Sequence, residues 1–412
     1  MSDSVLLAIS LTVLGYAALS GVLRRAPVSP AMVFVAVGIL LGSSGLGLLN
    51  GAVSAGGLET VTTATLVLVL YSDAAQLRVR LLEREAAVPL RLLGIGLPLT
   101  IIAGFLASLV LLPQLAIAEA LLLAVILAPT DAALGQAVVT DERLPSRIRQ
   151  GLNTESGLND GICVPLLAVA LALVGLEDGD SSSSVLTALV SEIAWGAVAG
   201  VVGGLAATLV LRVIARRFGI SPVWRPLVCF GSAGLAYALA LELGGSGFIA
   251  AFVAGLTFRF SYGKTAHEEV ELVEESGSLL AAITFLLFGG AVLGPLLHDL
   301  QWTQLAYAAA SLTVIRMLPV ALALIGTHLR TDAVLLVGWF GPRGLASIVF
   351  ALIAAKSVAL PHGEFLMQVV ALTILGSVVL HGISAVPLVD RFVDRNPVPV
   401  EGTGDAATSP AS

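Results

Sequence analysis

Long apolar runs, separated by short polar links or by links built from glycine and proline, recur along the chain from one end to the other. They fall at approximately 4–22, 31–49, 58–77, 88–112, 115–138, 150–174, 186–214, 226–244, 246–260, 277–297, 302–326, 332–356 and 365–388. Most approach the roughly 20 residues that a helix needs to cross a hydrocarbon layer about 30 Å thick. The pattern therefore predicts an all-α polytopic membrane protein of about thirteen transmembrane helices. Links as short as Pro113-Gln114 and Gly244-Gly245 make the helices they join antiparallel neighbours.

Composition excludes a water-soluble globule. Hydrophobic residues make up 57% of the 412 positions and charged residues 12%, about half the charge of an ordinary soluble domain. A net charge of −7 gives no support to nucleic-acid binding, which needs a concentrated positive surface. The only cysteines, Cys163 and Cys229, lie inside apolar runs, so neither a disulfide framework nor a zinc pattern arises. The first run has no basic residue before it and is followed by Arg24-Arg25, the reverse of a cleavable signal peptide. It is read as a retained first span with an external N-terminus. Residues 391–412, rich in Pro, Gly, Ser and Thr, read as a disordered cytoplasmic tail after a membrane domain at 1–390.

The distribution of lysine and arginine tests the span count, because these residues collect in cytoplasmic loops. Counted from an external N-terminus, every one of the 21 falls on the cytoplasmic side except Lys356, at an outer helix end, and Arg316 and Arg343, within spans. An error in the count would scatter basic residues to both sides beyond it. The reading is therefore N-out and C-in, in a plasma (inner) membrane, multi-pass.

A charge at mid-membrane costs several kcal/mol, on the order of 3 per residue by insertion scales, and marks function by default. Such charges concentrate in three places: Asp131 in LAPTDAALG on the fifth span, Glu155 and Asp160 with Asn159 in NTESGLNDG on the sixth, and Arg316 and Arg343 on the eleventh and twelfth. Pro129 and Pro342 remove a backbone donor and disfavour helix at the residue before them, so spans 5 and 12 are expected to be broken. Their offset of seven spans is odd and places them in opposite orientations. That is the inverted-repeat layout of secondary transporters, with ion sites where two broken helices cross. The repeats would be about 4–174 and 226–388, joined by a linker helix at about 186–214. On the sixth span Glu155 and Asn159 share a face, as do Ser156 and Asp160. With Thr130 and Asp131 opposite, this is an oxygen-rich surface suited to a hard monovalent cation.

These residues resemble a family, the first branch of the monovalent cation/proton antiporters, with the NhaP antiporters and the eukaryotic sodium/proton exchangers. The segments ESGLNDG, the TD after a proline, GPRGLAS and GGSGFIAAFVAGL carry the resemblance, which covers nearly the whole chain. It implies that Asp160 carries the exchanged ion or proton, and that Thr130, Asp131, Ser156 and Glu155 coordinate or shape the site. It implies also that Glu155 pairs with a late arginine, Arg316 before Arg343. Where many members have TDPVAV this chain has TDAALG; the missing second proline bears on the extent of the break and removes no ligand. The ND pair resembles the branch that exchanges ions without moving net charge. Exchange of Na+ (or K+ or Li+) for H+, a role in pH homeostasis, no cofactor beyond the transported ions, and a homodimer follow as expectations.

Blander roles remain beside these. Glu155 serves either as a ligand or as the counter-charge that lets an arginine stay in lipid; Asp131 is a ligand or a structural group, and Asn159 a ligand or a prop for the crossing helices. Asp73 and Glu242, near span ends, read as solvated or entrance groups, and HEEVELVEE from His267 as a solvated helix face. Gly196, Gly200, Gly203 and Gly204 read as close helix packing or a dimer contact. A channel, or a proton-coupled symporter using the same acids, differs from an antiporter in the direction and voltage dependence of flux. An intramembrane hydrolase with Asp131 and Asp160 as an acid pair lacks support: no GxGD, HExxH or serine–histidine arrangement lies in the spans.

Overall fold

The computed structural model describes residues 3–23, 28–49, 55–77, 87–131, 133–177, 182–263, 265–296 and 300–396. Its elements are helical, and no strand occurs among the described residues. In chain order they are α1 (Asp3–Leu23), α2 (Pro30–Leu41), α3 (Ala55–Ala75), α4 (Ala87–Leu111), α5 (Ile117–Ile126), α6 (Gln136–Val139), α7 (Ser146–Glu177) and α8 (Ser183–Phe218). There follow α9 (Leu227–Glu242), α10 (Gly247–Tyr262), α11 (Ala266–Glu269), α12 (Glu271–Leu296), α13 (Trp302–Ala323), α14 (Thr331–Trp339), α15 (Leu345–Ser357) and α16 (Gly363–Arg395). Seven of the described helices, α1, α4, α7, α8, α12, α13 and α16, are long and apolar enough to cross a membrane. The apolar helices α2, α5, α9, α10 and α15 are shorter.

Every apolar run of the sequence holds at least one of these helices, but the ends differ for physical reasons. The run at 31–49 stops being helical at Leu41, where Gly42 returns its N–H to Gly38 and Gly47 takes φ 70°, a conformation that favours glycine. α2 also packs against α12 so closely that a Cβ on Gly42 would meet the Gly290 carbonyl at 2.5 Å. In the other direction, the polar start of the sixth run is helical from Ser146, and α16 continues to Arg395. Residues 397–412, most of the expected tail, lie outside the described residues.

Close packing fixes the scaffold. The glycine stripe of α8 lies against α10 and α9: a Cβ on Gly200 would stand 2.6 Å from the Ala250 carbonyl, one on Gly204 2.5 Å from that of Ala254, and one on Gly203 2.8 Å from Ala236. Backbones approach where no side chain intervenes, the usual device for helix association in lipid. The stripe is thus buried within the chain. At the polar turn before α7, Arg143 bonds Asp141 at 2.7 Å and Asp390 at 2.9 Å, tying that turn to α16. The guanidinium holds the Asp141 carboxyl below its usual range.

Candidate ion-binding site

Both proline-containing runs are interrupted, and the interruptions lie against each other. α5 ends at Ile126 and the chain runs non-helically through Pro129; α14 ends at Trp339 and α15 begins at Leu345. Irregular backbone deep in a bundle demands partners for its polar groups, and the other interruption supplies many of them. The Asp131 N–H donates to the Pro342 carbonyl at 2.8 Å, and the Asp131 carboxylate accepts from the Leu345 N–H at 2.9 Å and the Ala133 N–H at 2.8 Å. Arg343 donates through Nη1 to the Ala128 and Pro129 carbonyls at 2.5 and 3.1 Å, and its backbone N–H donates to Ser377 Oγ at 2.6 Å. Ser347 Oγ donates to the Ile126 carbonyl at 2.7 Å. A carboxylate thus faces the amino end of α15 while a guanidinium faces the carboxyl end of α5, each complementary to the partial charge of the helix end it meets.

Gly344 makes this contact possible, since a Cβ there would strike the Asp131 carboxylate. Asp131 is held by two backbone donors and cannot swing away. Gly344→Ala is expected to destabilise the protein by about 1–3 kcal/mol, the usual cost of overpacking. Thermal unfolding in detergent checks this against Gly231→Ala, whose Cβ would meet nothing within 4 Å; equal melting temperatures for the two variants would refute it.

The polar motif of the sixth run lies on α7, with Glu155, Ser156, Asn159 and Asp160 all buried. Thr130 joins the two elements: its hydroxyl lies 3.1 Å from Ser156 Oγ and accepts from Asn159 Nδ2 at 2.6 Å. Asn159 therefore uses its amide N–H to brace α7 against the first break, while its Oδ1 has no hydrogen-bond partner among the described residues. Asp160 Oδ1 is likewise buried without a partner. A cavity of about 690 Å³ reaches this carboxylate, and Asp131, Ser156 and Asp160 are part of its wall. Its other residues include Gln76, Arg147, Arg149 and Glu274, near helix ends on one side of the bundle. A cavity that reaches a buried carboxylate, with hydroxyl and carboxylate oxygens in its wall, offers a proton or a hard monovalent cation a place to bind.

Glu155 points away from that cavity to Arg316 on α13. The pair is bidentate, Nη1–Oε1 2.5 Å and Nη2–Oε2 2.8 Å, and both side chains are 2% exposed. Arg343 makes no hydrogen bond to Glu155 and serves the break instead. Arg316 also lies against the second interruption, where a Cβ on Gly341 would strike its guanidinium.

The structure also places acids and histidines outside the expected ligand set. Asp73 on α3 lines the cavity with Asp131 and Asp160, and a Cβ on Gly157 would lie 3.4 Å from its Cβ and 3.8 Å from its Oδ2. α3 thus brings this third carboxylate alongside α7 at Gly157. Its only sequence signal was an acid within an apolar run. Glu119, at the start of α5, is buried and accepts from the Ala116 and His362 N–H groups at 3.0 and 2.9 Å, with His362 Nδ1 2.8 Å away. Glu269, expected on a solvated face, is buried and paired with Arg225. His381 on α16 lies under the second break, Nε2 2.9 Å from the Trp339 carbonyl. Glu242 is exposed, and both cysteines are buried and free.

A model of the family described as sodium/hydrogen exchanger, transmembrane, matches residues 9–391. The K(+)/H(+) antiporter NhaP of Alkalimonas amylolytica is 27% identical over 369 residues, covering 87% of this chain and 61% of the relative. The Na(+)/H(+) antiporter NhaP of Pseudomonas aeruginosa is 27% identical over 298 residues, covering 68% of this chain and 67% of the relative. This chain thus spans about three-fifths of the length of the Alkalimonas relative. The structure of the sodium proton antiporter MjNhaP1 from Methanocaldococcus jannaschii at pH 8 matches with a TM-score of 0.75 at 23% identity, covering 92% of this chain and 97% of that one. The two share a fold.

Proposed function

The chain belongs to the sodium/hydrogen exchanger family, and from that membership we propose that it is a secondary transporter exchanging a monovalent cation for a proton at Asp160. The observation that carries the reading is the cavity that reaches Asp160, a buried carboxylate whose Oδ1 has no hydrogen-bond partner among the described residues. Ser156 and Thr130 supply neutral oxygens, and Asp131 still has lone pairs beyond the two that accept backbone N–H groups. Asp73 lends further negative potential. Asp160 alternates between a protonated and a cation-bound state, and competition for that one carboxylate couples the fluxes. One proton for one monovalent cation is electroneutral.

The finer architecture belongs to the same proposal. It comprises thirteen spans, N-out and C-in, in the plasma membrane; inverted repeats at about 4–174 and 226–388 around a linker helix; and crossing broken spans 5 and 12. The homodimer rests on the family resemblance. In this topology the cavity opens to the cytoplasm, where Arg147 and Arg149 lie. The ion pair of Lys356 with Glu59 at 2.5 Å, and the contact of His362 with Glu119, lie on the far side. The conformation is therefore inward-open, and rocking of the core that carries α5, α7, α14, α15 and α16 would expose Asp160 outward. The relatives include both a K(+)/H(+) and a Na(+)/H(+) antiporter, so the cation is set by experiment.

In proteoliposomes holding an imposed pH gradient, Na+, K+ or Li+ is expected to dissipate that gradient. In the Na+ and Li+ arms, the rate is expected to be unchanged when valinomycin and K+ clamp the voltage. The order of effectiveness identifies the cation. Flux that follows voltage would give the channel reading instead; cation and proton moving in the same direction would give symport.

A further inference from the structure

A second concavity lies far from Asp160, where the carboxyl ends of α8 and α10 meet the start of α9. Its volume is about 250 Å³, and Arg212, Arg216 and Arg225 converge on it beside Tyr262 and Thr265. Arg225 is spoken for: Nε bonds both Glu269 oxygens at 2.9 and 3.0 Å, and Nη2 donates to Tyr262 Oη at 2.9 Å and to Glu269. Arg212 lies over the Tyr262 ring, 5.7 Å from its centroid, and gives one N–H to the Tyr262 carbonyl at 2.7 Å. Neither Arg212 nor Arg216 pairs with a carboxylate among the described residues. Glu269 thus cancels one of three guanidinium charges, and two remain facing a polar hollow.

Arg212 and Arg216, near the carboxyl end of α8, also suit the dipole of that helix, and that alone would call for no ligand. The surroundings ask for more. Phe218, at the end of α8, and Val223 and Trp224, in the link that leads on to Arg225, are 77%, 73% and 66% exposed. Aromatic and apolar side chains held out beside arginines place this corner at the boundary between hydrocarbon and headgroups. On α8 itself Leu205, Leu209 and Val213 are exposed in a row spaced by four residues. The row adjoins that of Arg212 and Arg216 and leads from the hollow into the bilayer. An apolar track ending in a pocket with two uncompensated positive charges matches a molecule with acyl chains and a phosphate.

We propose that the Arg212–Arg216–Arg225 pocket binds a phosphate-type oxyanion, and that its source is the headgroup of an anionic phospholipid whose chains lie along Leu205, Leu209 and Val213 of α8. Guanidinium groups are suited to it, since each offers a planar fork of donors to phosphate oxygens, and basic pockets between membrane helices take anionic headgroups. The bound lipid bridges α8, α9 and α10, the helices whose glycine-mediated contacts form the scaffold. Binding is read without reference to transport, so its outcome stands apart from that of the exchange proposal.

The test is a lipid titration of the purified full chain in neutral detergent, followed by native mass spectrometry and by melting temperature. The arms are phosphatidylglycerol, phosphatidylcholine and inorganic phosphate. Phosphatidylglycerol is expected to bind the wild type and raise its melting temperature, and phosphatidylcholine and free phosphate to do neither. In Arg212→Gln/Arg216→Gln, phosphatidylglycerol affinity is expected to fall about thirtyfold, about fivefold for each arginine near an anionic surface. The single variant Arg216→Gln, whose side chain has no hydrogen-bond partner among the described residues, keeps the test readable if the double variant folds poorly; a fall of about fivefold is expected there. Arg330→Gln, at an exposed arginine on another link, should bind as the wild type does. Equal binding of the two lipids by the wild type, or unchanged phosphatidylglycerol affinity in both Arg216 variants, overturns the site. A wild-type response to phosphate alone that leaves no further response to phosphatidylglycerol overturns the lipid source and assigns the pocket to a soluble anion.

Discussion

Asp160→Asn is expected to reduce cation-driven proton movement to the level of protein-free vesicles while the protein remains folded in detergent. The substitution is isosteric, and Asp160 Oδ1 makes no hydrogen bond among the described residues. What disappears is the ability to take up a proton or to neutralise a cation. An amide does neither, and none of the other polar groups around it replaces the function. Ser156 and Thr130 are hydroxyls engaged with each other, and Asp131 is committed to the two breaks. The wild type carries a companion signature. Because proton and cation compete for one carboxylate, the apparent KM for the cation is expected to rise as the cytoplasmic-side pH falls, approaching about tenfold per pH unit once protonation dominates. Proton flux measured with a pH-sensitive dye, alongside gel filtration of the same preparation, checks both. Wild-type exchange by a folded Asp160→Asn protein would falsify the assignment of Asp160 as the coupling carboxylate.

Much of this site was legible because its chemistry is costly where it stands. Asp131, Glu155, Asp160, Arg316 and Arg343 were conspicuous as charges within apolar runs, and Pro129 and Pro342 marked helix interruptions through the donor each lacks. Pairing was less legible. Sequence spacing puts Glu155 and Asn159 on one face of α7, yet Glu155 turns to Arg316 while Asn159 braces Thr130; rotation about the helix axis is set by neighbours that periodicity does not name. Asp73, read as a solvated or entrance group, was less sharply specified for a related reason. Its depth along α3 does not tell whether it faces water or a partner helix; in the fold it lines the cavity and lies against Gly157 of α7. Glu269 shows the converse error: an acidic run reads as solvated until the fold brings Arg225 and Tyr262 to it. Helix ends followed glycine more than hydropathy. The apolar residues after Leu41 favour a longer span, but the turn at Gly42 and the close approach to α12 end the helix there.

Glu155→Gln is expected to cost about 3–5 kcal/mol of stability, because it leaves the Arg316 guanidinium buried without its counter-charge. The loss should appear as a sharply lower melting temperature and a poor yield of monodisperse protein, whatever the cation present. Arg316→Lys should not rescue the geometry, since an ammonium cannot reproduce the two parallel hydrogen bonds to Oε1 and Oε2. A double variant separates a structural pair from a transport ligand. Glu155→Leu/Arg316→Met removes both charges and keeps apolar volume, a change that is often neutral or stabilising at buried pairs. It is expected to recover a large part of the folded yield, and exchange is expected to return with it, because Asp160, Thr130 and Ser156 do not depend on the Glu155 charge. The coupling between the sites, taken as the difference between the double variant and the sum of the singles, should be strongly favourable to the pair. Recovery of folding without exchange would move Glu155 into the ion pathway. A single Glu155→Gln variant that melts with the wild type would mean that Arg316 has another counter-charge in the membrane, and the ion pair would lose its role as the tie between α7 and the second break.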